Sequence, residues 1–123
     1  MKLTNEKEIS EWAYFQCLKN DTKQMRNLIT YDYWIYYYCK DIKDIKEMWN
    51  KIIESEWAYW YCKHVKDREE MRKKITESYY AYCYCIDVKD REEMWRKITE
   101  SLYAYYYCKE VKNRPEVRKY IKK

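Results

Sequence analysis

The chain has 123 residues, enough for one domain, and carries 26 Lys and Arg against 21 Asp and Glu, a net charge of +5. It holds no Gly and a single Pro, Pro115, while 17 Tyr, 6 Trp and 1 Phe supply much of its apolar bulk. The missing Gly disfavours a β-rich fold with tight turns, and charge interleaved with aromatics disfavours a disordered chain.

The first residues, Met1 to Lys7, contain no apolar signal-like stretch, and no segment approaches the roughly 18 apolar residues of a membrane span. The expectation is a soluble protein of the cytoplasm (a host cell's, if the origin is viral) with no membrane partner and with reduced thiols. From Lys109 to Lys123 there are seven basic and two acidic residues, so the whole net charge sits at that end and residues 1–108 are neutral. This weakens any reading of the body as a general polyanion binder.

Five copies of one unit follow each other: about 9–30, 31–53, 54–76, 77–99 and 100–122. A Cys recurs at 17, 39, 62, 85 and 108, and the last three copies are near-identical. Such a period predicts a single all-α domain over 1–123, a right-handed-type α-solenoid of five ~23-residue helix-turn-helix repeats. At the usual spacing of packed helices, about 8–10 Å, it would span roughly 40–50 Å.

In each unit Ser55, Ser78 and Ser101 suit the N-cap of a first helix of about ten residues, ending near Val65, Val88 and Val111. Asp44, Asp67, Asp90 and Asn113 suit the N-cap of a second helix. Asp67 with Glu70 and Asp90 with Glu93 have capping-box spacing. Pro115 falls in the first turn of the last helix, where its missing N–H costs little. Helical periodicity puts Ala58, Cys62 and Val65 on one core face, repeated as Ala81/Cys85/Val88 and Ala104/Cys108/Val111. The second helix buries Met71 with Ile75, Met94 with Ile98, and Val117 with Ile121.

No constellation points to catalysis, a metal or a cofactor. Five of the six cysteines share one core register and read as small apolar residues; only Cys83 is out of register and partly exposed. His64, the one histidine, reads as solvated. The glutamates of Glu69–Lys73, Glu70–Lys74, Glu92–Arg96 and Glu93–Lys97 read as i,i+4 pairs on an outer face. There is no Gly-rich phosphate loop and no activated nucleophile.

The aromatics carry the functional expectation. Two ladders lie away from the core face of the first helices: Trp12, Trp34, Trp57, Tyr80 and Tyr103, and Phe15, Tyr37, Trp60 and Tyr106, the second interrupted by Cys83. They form either a binding surface for a protein or packing against adjacent helices. The ladders Tyr36/Tyr59/Tyr82/Tyr105 and Tyr38/Tyr61/Tyr84/Tyr107 flank the core and are expected to pack.

The unit resembles a helical repeat of tailed-phage and bacterial proteins that runs Ala-Tyr-x-Tyr-Ala-x-x-Val, a Lys-Gly-Arg turn, then Pro-Glu. Ala104-Tyr105-Tyr106-Tyr107-Cys108, Val111 and Lys112-Asn113-Arg114-Pro115-Glu116 carry the likeness most fully, with Cys for Ala and Asn for Gly. The resemblance implies a phage or mobile-element origin and carries over no catalytic residue. The expected function is therefore a non-enzymatic protein-binding module, of the kind that inhibits a host or defence protein. The alternative is single-stranded nucleic-acid binding through the aromatics and a basic end of Lys109, Lys112, Arg114, Arg118, Lys119, Lys122 and Lys123. Either way the chain is expected to be a monomer or homodimer.

Overall fold

The computed structural model describes residues 5–122; the terminal Lys123, counted above in the basic end, and Met1 to Thr4 lie outside them. The elements among the described residues are all helices, alternately long and short. The long ones are α1 (Glu6–Lys19), α3 (Asp32–Asp41), α5 (Ser55–His64), α7 (Ser78–Asp87) and α9 (Ser101–Glu110). The short ones are α2 (Lys23–Asn27), α4 (Lys46–Trp49), α6 (Glu69–Arg72), α8 (Glu92–Trp95) and α10 (Pro115–Arg118).

The long helices end as predicted, with Val65, Val88 and Val111 at the C-cap, each N–H bonding back to the carbonyl of Tyr61, Tyr84 or Tyr107. No described residue has positive φ. A chain without Gly has no cheap left-handed residue, so its helices stop in negative-φ turns. The short helices are a single turn. In α6, i→i+3 bonds continue past the helix, from Lys74 N to Met71 O and from Ile75 N to Arg72 O, and bring Ile75 into the core. Pro115 sits in the first turn of α10.

Each long helix packs on the short one that follows it and on the next long one, in the order α1, α3, α5, α7, α9. The core is one cluster. Its fully buried members include Ala58, Ala81 and Ala104 on the long helices and Met48, Met71 and Met94 on the short ones. Cys17, Cys39, Cys62 and Cys85 are buried beside them, and burial pushes the Cys39, Cys62 and Cys85 thiols up to about 12.

Two predicted caps do other work. The serines lie one residue inside their helices, and the N-cap positions are Glu54, Glu77 and Glu100, with no side-chain cap bond. The Ser55 hydroxyl instead accepts from Thr76 N (2.9 Å) and Glu77 N (3.3 Å), where the chain enters α7. Ser78 does the same for Thr99 and Glu100, Ser10 for Thr30 and Tyr31, and the Asp32 carboxylate for Ile53 and Glu54. These side chains satisfy N–H groups at the entrance of the next long helix rather than of their own.

The aspartates also fail as caps, and no capping box forms. Ile45, Arg68, Arg91 and Arg114 occupy the N-cap positions. The Tyr61 hydroxyl donates to Asp44 Oδ1 (2.7 Å), Arg68 Nε donates to the Tyr61 oxygen (2.6 Å), and the Arg68 guanidinium reaches Asp44 Oδ2 (2.9 Å). Asp67–Tyr84–Arg91 and Asp90–Tyr107–Arg114 repeat this clamp. Each clamp ties an aspartate to the tyrosine and arginine of the following unit. Charge-assisted bonding to a partly buried carboxylate outcompetes a cap on a one-turn helix.

Candidate partner-binding surface

The first outer ladder is neither fully exposed nor fully packed. Trp12 is 42% exposed, whereas Trp34, Trp57, Tyr80 and Tyr103 are half-buried against the core. Their rings wedge against the preceding long helix: Tyr33 and Trp57 lie 5.2 Å apart, Tyr36 and Trp57 5.5 Å, Tyr79 and Tyr103 5.2 Å. The second ladder is open at its ends, with Phe15 at 47% and Tyr106 at 36%, and half-buried at Tyr37 and Trp60. Cys83, in the gap of that ladder, is half-buried, and burial raises its pKa.

Of the flanking ladders, Tyr38, Tyr61, Tyr84 and Tyr107 are fully buried, and Tyr36 and Tyr59 nearly so. Tyr105 departs from the expectation: it is exposed. The covered members bridge forward. Tyr14 donates to Asp41 (2.8 Å), Tyr59 to Asp87, and Tyr82 to Glu110 (2.7 Å). His64 occupies the corresponding acceptor position on α5, so Tyr36 has no such partner among the described residues. The imidazole is exposed and stacks on Trp60, with ring centroids 5.3 Å apart.

The other charge expectations divide. Glu69–Lys73 (3.7 Å) and Glu92–Arg96 (3.0 Å) form as i,i+4 pairs. The other two do not. Lys74 Nζ donates to Asn50 O (2.9 Å) and Lys97 Nζ to Arg72 O (2.8 Å), capping carbonyls of the preceding unit, while Glu93 pairs with Arg72 (2.6 Å). The lysine stems reach these carbonyls because they lie against the previous helix end. In the basic end, Arg114 is not free. It is bound to Asp90 at 2.9 Å and lies over the Trp95 ring at 4.9 Å. Arg118 donates to Asn113 Oδ1 (2.9 Å), and Lys109, Lys112, Lys119 and Lys122 are exposed.

The first outer ladder also lines recessed surface. Three adjoining depressions, of 590, 410 and 520 Å³, run along the N-terminal ends of the long helices. Their walls are Trp34, Trp57, Tyr80 and Tyr103, and their rims carry Glu54, Glu56, Glu77 and Glu100. The ladders point to the walls, but the rim acids, Tyr33 and Tyr79 lie outside them. The recurrent Glu before each Ser was the available signal.

Among the described residues no group of three or more His, Cys, Asp or Glu is placed to hold a metal ion, and no helix is long and apolar enough to cross a membrane. Comparison with known proteins gave no match to a family model, a curated protein or a solved structure.

Proposed function

We propose that the chain is a non-enzymatic protein-binding module, a right-handed-type α-solenoid of five helical repeats in one domain. The observation that carries this reading is the row of Trp and Tyr edges left accessible along successive long helices, from Trp12 and Phe15 to Tyr106. Half-buried aromatics held by a rigid scaffold offer large contact area at small entropic cost. The resemblance to phage repeats extends the proposal to inhibition of a host protein in the cytoplasm. Single-stranded nucleic acid is the weaker alternative, because Arg114 is engaged by Asp90 and the recessed surface is acidic.

The test is affinity capture from lysate of the natural host, with and without nuclease. A nuclease-resistant protein lost on Phe15→Ala or Trp57→Ala is expected. Capture abolished by nuclease would overturn the reading in favour of nucleic acid.

A further inference from the structure

The three depressions are continuous. The first shares Glu54 and Glu56 with the second, and the second shares Thr76, Glu77 and Tyr80 with the third. Together they are lined by five glutamates, Glu11 among them, and by one cation, Lys7. None of those five glutamates makes an ion pair among the described residues, whereas Asp21, Asp44, Asp67 and Asp90 all do. Only Glu56 has a side-chain partner, the Tyr80 hydroxyl at 3.2 Å. Burial raises the Glu54 pKa, and the nearby Asp32, Glu56 and Glu77 add to the rise. A helix N-terminus supplies only about half a positive charge, less than one carboxylate carries.

The walls suit a cation as well. Trp and Tyr faces attract guanidinium and ammonium groups. A carboxylate rim over aromatic walls, repeated helix by helix, matches a chain that presents regularly spaced positive charge.

We propose that this strip binds an extended segment of another protein that carries Arg or Lys at about every third residue. The spacing follows from geometry: neighbouring helices pack about 8–10 Å apart, and three residues of polyproline-II chain advance about 9 Å. Each cation then meets one rim glutamate and one aromatic face. The inference rests on the protein-binding reading and specifies its partner.

The test uses the full chain and a labelled synthetic peptide of about twelve residues with Arg at every third position and Pro or Ala between. Fluorescence anisotropy should show saturable binding that weakens with salt. The Glu54→Gln/Glu77→Gln/Glu100→Gln variant should bind at least about tenfold more weakly with unchanged circular dichroism. If that variant does not fold, Glu77→Gln alone should still weaken binding. A peptide of the same composition with its Arg residues bunched at one end should bind less well.

Equal binding by wild type and the Gln variants, or tighter binding of oligo-dT than of the peptide, would overturn the proposal. So would a dimer abolished by the Gln substitutions, which would place a second copy's basic tail in the strip. A host protein captured equally by wild type and the Gln variants would overturn this inference while leaving the protein-binding reading intact. Failure of wild type to capture any protein would remove that reading itself.

Discussion

Aspartate and tyrosine are the residues on which the units are joined, and their ionisation sets a pH window. Burial acts to raise Asp21, Asp67 and Asp90, but hydrogen bonds from tyrosine and arginine outweigh it and hold all three below the usual carboxylate value. A lowered folded pKa gives stability that is fully present above the unfolded value of about 3.9 and is lost as pH falls through the folded one. Burial, then Asp67, raises Tyr84, and Tyr61 and Tyr107 behave alike. A raised folded pKa gives stability present below the unfolded value of about 10 and lost as pH climbs through the folded one. Urea unfolding across pH should therefore show a plateau between about pH 5 and 9, falling on both sides. Asp67→Asn should flatten part of the acid limb and Tyr84→Phe part of the alkaline limb; unchanged limbs in both variants would refute this role. His64 supplies a second residue-scale case. Asp at that position would give Tyr36 the acceptor that Asp87 gives Tyr59, so His64→Asp should stabilise by about 0.5–1 kcal/mol in denaturant titration. A destabilised variant would mean that the Trp60–His64 stack matters more.

At the level of elements, the serine at the start of each long helix shows what a sequence can and cannot announce. Helical period, the ten-residue length and the Val stop were legible because they depend on local spacing. The core register of Ala and Met was legible for the same reason, whereas Val65, Val88, Val111 and Cys108, expected on the same core face, are only half-buried. The partners of Ser55 and Asp67 were not legible, because a buried Ser or Asp can serve any N–H or hydroxyl within reach, and the groups in reach belong to units about twenty residues away. Propensity favoured the local cap, and packing decided otherwise. The recessed acidic strip was hidden similarly, since no single unit contains it. The distinction has a measurable consequence. Ser55→Ala should cost about 1 kcal/mol by taking the acceptor from the part-buried bonds of the Thr76 and Glu77 N–H groups. The loss of hydrogen-exchange protection should fall on Thr76 and Glu77. Loss confined to Trp57 and Ala58, at the start of the serine's own helix, would restore the local-cap explanation.

At the scale of the whole molecule, the joint between units is not uniform along the chain, and that bears on whether copies of it can add end to end. The first and last of the five units lack residues of the clamp and of the forward bridge, although Ser101 keeps its contact and accepts from Lys122 N (2.8 Å). The full clamp pairs an aspartate of one unit with a tyrosine and an arginine of the next, as in Asp67, Tyr84 and Arg91; between the first two units Asp21 meets Tyr38, but Ile45 stands in the arginine position. The last unit offers Asn113 instead of aspartate, and the first offers Gln16 and Thr22 instead of tyrosine and arginine. The forward bridge fails too, because the acceptor position filled by Asp41, Asp87 and Glu110 is Lys19 in the first unit. Tyr105 thus stays exposed with no acceptor to find on another copy. A charge-assisted bond to a buried carboxylate contributes about 1.5–3 kcal/mol, so restoring one clamp should tighten end-to-end association at least about tenfold. The variant Gln16→Tyr/Thr22→Arg/Asn113→Asp/Lys19→Asp should therefore form concentration-dependent linear assemblies in sedimentation velocity. Wild type, whose first and last units lack these groups, should show none at the same concentration. If the fourfold variant sediments like wild type, the clamps do not govern contact between units, and apolar stacking of Ala, Cys and Met suffices to hold them.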